Sequence, residues 1–291
     1  MRIRSAAMIV ALSATSLPAK ANDLAVISLA KTSKWEINYD QDSCHLLAKF
    51  GQGDQTAIMR ITRFEPGSGF DLMLFGKMFS SDHPWQHSSI RFGDRPEFDA
   101  GDAGTGKTPE QLSFLILSGL RLDGDERSID HAKRPEVSPN VEAKTNSITV
   151  PLPKGKIYRL ETGSLAGPMA AMRTCTDDLV AKWGYDPAMM AKLSKPASPI
   201  GDPARWITTN DFPTTALRAG LNGLIKFRLD IDETGKIKGC YVLKRFKPNE
   251  FDVLTCNLVS KRAQFTPALD ALGKPVKAYH VDAVRFTIPE D

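Results

Sequence analysis

The sequence predicts an α+β chain: a mainly β N-terminal domain that ends in a helix, joined to a small C-terminal domain made of a hairpin, a helix and a last strand. Three observations carry this reading. From Ile58 to Leu160, short apolar or alternating runs recur between Gly, Pro and Asp residues, as in antiparallel sheets. Met169, Met172, Cys175, Leu179 and Trp183 recur at spacings of three and four, the stripe of one helix face. From Leu224 to Ile231, the apolar residues Ile225, Phe227, Leu229 and Ile231 alternate with Lys226, Arg228 and Asp230, the period of a half-buried strand. The 291 residues, 42% hydrophobic and 25% charged, exclude a polytopic membrane protein and a disordered tail, and the length suits two domains.

Taken in order, the first segment reads as a secretion signal. Arg2 and Arg4 precede a short apolar run, Ala6 to Leu17, and Ala19-Lys20-Ala21 has the small-x-small form of a cleavage site, so residues 1–21 are expected to be removed and the mature chain to begin at Asn22. A run broken by Ser13, Thr15 and Ser16 falls short of the roughly 20 apolar residues that a spanning helix needs. The expected compartment is the periplasm. Arg2, Arg4 and Lys20 leave with the signal, so 35 basic residues face 34 acidic ones and the mature balance is +1. That gives no excess with which to neutralise phosphates and argues against a nucleic-acid partner.

Residues 22–185 form the expected N-terminal domain. Its strand-like runs are Ile58 to Phe64, Phe70 to Phe75, Ser88 to Phe92, Leu112 to Leu117, Ser147 to Leu152 and Lys156 to Leu160, although Leu112 to Leu122 follows a Thr-Pro-Glu-Gln start that equally suits a helix. Asp123 to Asn146 is polar and reads as loop. The Met169 stripe then marks a core-facing helix, with Gly184 placed to stop it. Residues 186–205, with Pro187, Pro196, Pro199 and Pro203 and no apolar period, read as a linker. In the C-terminal domain, residues 206–291, Asp232-Glu233-Thr234-Gly235 supplies the turn between the strand at 224–231 and a second one from Lys236 to Leu243. A helix with Phe251, Leu254 and Leu258 on one face follows, closed by Lys261 and Arg262, and the last strand runs from Ala278 to about Ile288.

In an oxidising space the four cysteines, Cys44, Cys175, Cys240 and Cys256, read as two bridges. Three pairings are possible; two cysteines in each half favour Cys44 with Cys175 and Cys240 with Cys256.

Several chemical motifs are weak on their context. Gly101 to Thr108 fits the G-x-x-x-x-G-K-[ST] phosphate-loop pattern, but Arg95-Pro96-Glu97-Phe98-Asp99 ahead of it does not read as the buried strand such a loop requires. It is expected to be a glycine-rich surface loop with Thr108 and Pro109 opening a helix, and no nucleotide is expected. His83 and His87 lack the neighbouring Glu of a zinc protease motif, and no G-x-S-x-G elbow occurs. No catalytic constellation, metal site or cofactor is expected, and the chain is read as a binding protein and not an enzyme.

The C-terminal order carries a resemblance. Phe212-Pro213 and Ala216 precede Gly220-Leu221-Asn222-Gly223; then come the hairpin with Gly235, Asp252 in the helix, and Ala263-Gln264-Phe265-Thr266-Pro267-Ala268 followed by Gly273-Lys274-Pro275-Val276. From about Trp206 to Pro289 this pattern resembles the C-terminal domain of the TonB family. The resemblance implies a small three-stranded antiparallel sheet with helices on one face, working by protein recognition, the family's partners being outer-membrane transporters. It also places the strand from Ala278 at a sheet edge, where a partner in extended form adds as a further strand. On that expectation the backbone from about His280 to Thr287 pairs with the partner. Val281, Ala283 and Arg285 share one parity, the more apolar Val284, Phe286 and Ile288 share the other and face the core, and Arg285 with Tyr279 reads the partner. The same edge permits self-association. Two alternatives remain open: a membrane-anchored energy transducer that keeps residues 1–21, and a periplasmic enzyme with its site in the N-terminal domain.

Overall fold

The computed structural model describes residues 25–83, 85–124, 135–246 and 250–288. The expected signal segment and mature start lie outside them. The N-terminal half consists of β1 (Val26–Ala30), β2 (Glu36–Tyr39), β3 (Cys44–Phe50), β4 (Ala57–Arg63), β5 (Phe70–Phe75), β6 (Trp85–Phe92), β7 (Phe98–Lys107), β8 (Ser113–Leu120), α1 (Pro139–Lys144), β9 (Ile148–Leu152), β10 (Lys156–Glu161) and α2 (Ala166–Lys182). Its ten strands form one sheet in the order β1-β10-β9-β6-β7-β8-β5-β4-β3-β2, antiparallel except for β1 with β10. The sheet curls into a half-barrel that brings the end of β1 to β3. Thr32 N–H donates to the Lys49 carbonyl and Gly51 N–H to the Ala30 carbonyl, both at 2.8 Å, which joins the end of β1 to β3. Alternate residues of each strand turn inward, among them Leu46, Ala48, Phe50, Met59, Ile61, Leu72, Leu74, Leu115 and Leu117, and α2 buries Met169, Met172, Cys175 and Leu179 in the same core. The Cys44–Cys175 disulfide, with Cα atoms 6.0 Å apart, ties α2 to β3. Gly184, at φ +89°, ends the helix as expected.

Three expectations for this half are corrected. Gly101 to Lys107 is no loop: it lies in β7, paired with β6 and β8, and Gly106 leaves room for the Phe114 ring, which a Cβ would approach to 3.0 Å. Thr108 to Gln111 does not start a helix. It is the turn from β7 into β8, with Thr108 N–H donating to the Leu112 carbonyl and Gln111 at φ 64°. In the region from Asp123 to Asn146, the described part contains α1, whose Ser138 hydroxyl caps the Val141 N–H. Its buried Glu142 is paired with Arg173 of α2 at 2.6 Å. That partner lies 31 residues away, out of reach of a local reading.

The C-terminal half contains α3 (Pro187–Met190), β11 (Ser198–Pro199), α4 (Thr214–Arg218), β12 (Gly223–Ile231), β13 (Ile237–Phe246), α5 (Glu250–Arg262), β14 (Phe265–Thr266), β15 (Ala268–Leu269), β16 (Pro275–Val276) and β17 (Ala278–Phe286). The stretch expected as a linker is packed along this unit: Ser194 and Lys195 bond to Leu269, β11 pairs with β14, and Ala197 and Trp206 are buried with Phe265.

The main sheet has the order β13-β12-β17, all antiparallel. Phe227, Leu229 and Ile231 of β12 face a core shared with Val259 of α5, while Ile225 meets Ala216, Phe251 and Phe286. Phe212 closes that second cluster edge-on to Phe251 and Phe286, at 5.5 and 5.9 Å, which is the physical use of the Phe-Pro start. Gly235 holds φ +84°, and a Cβ there would fall 2.1 Å from the Phe265 carbonyl oxygen, so the hairpin turn has room for glycine alone. The Cys240–Cys256 disulfide, Cα atoms 5.6 Å apart, fastens α5 to β13. At the end of α5, Arg262 donates to both carboxylate oxygens of Asp211, at 2.6 and 2.9 Å, and holds that carboxyl well below the usual range.

Candidate functional site

The three-stranded sheet has two faces, and the period of two decides what each carries. Odd positions of β12 point to α5. Even positions, Lys226, Arg228 and Asp230, point the other way, beside Ala283, Val281 and Tyr279 of β17 in register. This second face is covered by the N-terminal half-barrel. Arg228, only 6% exposed, lies with its guanidinium 4.4 Å over the Trp183 ring and 4.3 Å over Tyr241, and its Nε donates to Asp230 at 3.1 Å. Lys226 reaches the buried Asp71 of β5 at 3.9 Å and lies 4.8 Å over Phe64. Burial pushes the Asp42 carboxyl up, and the charge of Arg228 pulls it back.

Two of the residues expected to read a partner belong to this junction. Tyr279 stands edge-on to Trp183 and Tyr185, at 5.1 and 5.4 Å, and Tyr185 Oη donates to the Ala278 carbonyl at 3.0 Å. Arg285 lies 3.6 Å from Asp102 of β7. Both are therefore held within the chain. His280 is on the opposite face, against Phe265 at 5.0 Å and near Asp282 at 3.7 Å. Thr287 lies beyond the strand, which ends at Phe286; the next residue, Ile288, donates its N–H to Asn222 Oδ1 at 2.8 Å. Val284 and Phe286 turn to the core, as their parity implies, and Ala283 and Arg285 are exposed.

Glu65, in the turn after β4, sits among the charges of this junction. Burial pushes its carboxyl up from 4.5 to about 7, against the pull of His280 and Lys226 and with a further push from Asp282. An acid with a raised native value stabilises while neutral. Its contribution is fully present below about pH 4.5 and is lost as pH rises through about 7. Glu65→Gln is therefore expected to flatten the fall in denaturation midpoint over this window and to raise the midpoint above pH 7. Equal pH slopes in the two proteins would remove Glu65 from the account.

The second element of the site is the free side of β17. Among the described residues this strand pairs only with β12, through nine residues in unbroken register. The opposite edge, β13, pairs with β12 through two register shifts, and such irregularities discourage further pairing. Ala283 N–H points away from β12, since it donates to the Asp282 carboxylate at 2.7 Å. By the period of two, the backbone groups of Val281 and Arg285 face the same side.

Elsewhere, Gly101 to Lys107 lie in β7, where the Gly101 N–H donates to the Asp99 carboxylate at 2.6 Å and the following residues pair with β6 and β8, an extended backbone unlike a phosphate cradle. His87 lies near Asp99 and Asp102, at 3.3 and 3.8 Å. No group of three or more His, Cys, Asp or Glu residues is placed to hold a metal ion among the described residues, and no helix there is long and apolar enough to cross a membrane. The residues that sequence reasoning missed are those of the junction: Trp183, Arg228, Asp71, Glu65 and Asp102. Only the unusual Lys-x-Arg-x-Asp alternation of β12 signals them, and it reads locally as a solvated face.

A comparison with curated proteins finds no match for the chain. Residues 208–288 match the family model described as Gram-negative bacterial TonB protein C-terminal. This span covers α4, the β13-β12-β17 sheet and α5, and the chain thus carries a TonB-like C-terminal domain.

Proposed function

We propose that the chain is a periplasmic TonB-like binding protein that captures a protein partner, an outer-membrane transporter, by strand addition to β17. The observation that supports it most is the long regular edge itself: nine residues that pair, among the described residues, with β12 alone, with the backbone of Val281 and Ala283 directed outward. Main-chain hydrogen bonds supply affinity in such recognition, and side chains of alternate parity supply selectivity. Here half of that selectivity is already engaged, since Tyr279 and Arg285 touch the half-barrel. The partner is therefore read chiefly through backbone and through the exposed Ala283. The chain acts by binding, without catalysis or a cofactor.

The test compares Ala283→Pro with Ala283→Ser on the periplasm-facing segment of an outer-membrane transporter, immobilised as an extended peptide. Proline removes the outward N–H and leaves the bonds to β12 in place, whereas serine keeps it. Capture is expected to weaken roughly ten-fold with proline, the order of one hydrogen bond with its partner left unpaired, and to survive with serine. Equal capture by the two variants would end the strand-addition reading.

A further inference from the structure

The edge that suits a partner strand also suits a second copy of the chain, and the residue at its centre bears on that choice. β17 runs from Ala278 to Phe286, so Asp282 is its middle residue. An antiparallel pairing of two copies over the full strand is two-fold symmetric, and its axis passes through Asp282. The two Asp282 carboxylates would then face each other directly across the new ladder, where like charges are destabilising. Within one chain, the same carboxylate already occupies the Ala283 N–H at 2.7 Å, one of the donors a second strand would need, and its other oxygen lies 3.7 Å from His280 Nε2. Any incoming strand must displace the bond to Ala283 N–H, but only a second copy also meets the opposed carboxylate.

We infer that Asp282 closes the β17 edge to a second copy of this chain while leaving it open to a strand that carries no acid at the matching position. The inference uses the same edge as the proposed function, but its test needs no partner peptide, so the two fail separately. The side chain of Asp282 is 40% exposed, and its replacement does not disturb the core. Sedimentation equilibrium of the full oxidised chain is expected to show the parent as a monomer and Asp282→Ala as a dimer, with self-association tightened roughly ten- to hundred-fold, the order of one charged-group hydrogen bond plus the relieved repulsion. Adding Ala283→Pro to Asp282→Ala is expected to return the protein to monomer. An Asp282→Ala protein no more associated than the parent would overturn the inference. So would dimers that survive the added proline, or a parent that already dimerises through this edge.

Discussion

Replacing Cys44 and Cys175 together by alanine is expected to lower the unfolding free energy of the half-barrel by about 5 kcal/mol. The bridge closes a loop with a sequence separation of 131, which contains most of the sheet, and it joins α2, the one long helix among the described residues of this half, to β3. In the chain-entropy account, the gain from a cross-link grows with the logarithm of loop length. The Cys240–Cys256 bridge, with a separation of 16, is on that account worth about 3 kcal/mol. The two double-alanine variants thus test the loop-length argument against each other, because each substitution is chemically the same. Denaturant midpoints with unchanged slopes provide the measurement. If the long-loop variant lost no more than the short-loop one, the contribution of the Cys44–Cys175 bridge would have to be local packing at α2 and not loop closure. A loss of this size is comparable to the whole stability of many domains, typically about 5 to 15 kcal/mol, so the reduced protein is expected to unfold well below the oxidised one.

The contrast between these bridges and the junction shows what a sequence can carry. Both pairings were legible because two cysteines fall in each half of the chain. The strands around Ile58, Phe70, Ile148 and Ile157 were legible because short apolar or alternating runs there stand between Gly, Pro and Asp residues, and α2 because its stripe repeats at three and four. β7 was not legible: Gly101, Gly104 and Gly106 suggest a loop, and the Phe114 ring on the neighbouring strand, which a Cβ at Gly106 would crowd, is not visible from the local sequence. The C-terminal fold was readable from its turn chemistry and motif order, because Gly235, Phe212 and Asp232 each act within a few residues or on an aromatic cluster of the same unit.

The covered face of β12 was invisible for a different reason. Lys226, Arg228 and Asp230 have the composition of a solvated surface, and what buries them comes from Trp183, Phe64 and Asp71, more than forty residues upstream. Charged residues in an alternating strand specify which side is not the strand's own core. They do not specify whether that side meets water or another part of the chain. The same ambiguity hides the contacts of Tyr279 with Trp183 and of Arg285 with Asp102, which reach across to the half-barrel.

Arg228→Ala is expected to cost roughly 3 kcal/mol or more and to loosen the TonB-like domain from the half-barrel. The planar guanidinium fills the space between Trp183 and Tyr241, and a desolvated cation over an aromatic face is worth roughly 2 kcal/mol. Truncation also leaves the partly buried Asp230 and Asp42 without the cation that offsets their desolvation, a loss smaller than the roughly 3 to 5 kcal/mol of a fully buried pair. Arg228→Lys keeps the charge but loses the flat, weakly hydrated group that stacks, so it is expected to recover only part of the loss. Differential scanning calorimetry distinguishes docking from general damage. The parent is expected to unfold in one coupled transition, and Arg228→Ala in two, the disulfide-closed TonB-like domain separating from the half-barrel. A single transition with an unchanged midpoint would mean that the sandwich holds nothing together. Because Val281 of β17 lies directly opposite Arg228, the separated domain would also carry its edge strand on a face no longer backed by Trp183 and Tyr185, and capture of an extended peptide should change with docking. If capture by Arg228→Ala matched that of the parent while calorimetry showed two transitions, the half-barrel would be a neighbour of the binding edge without being a support for it.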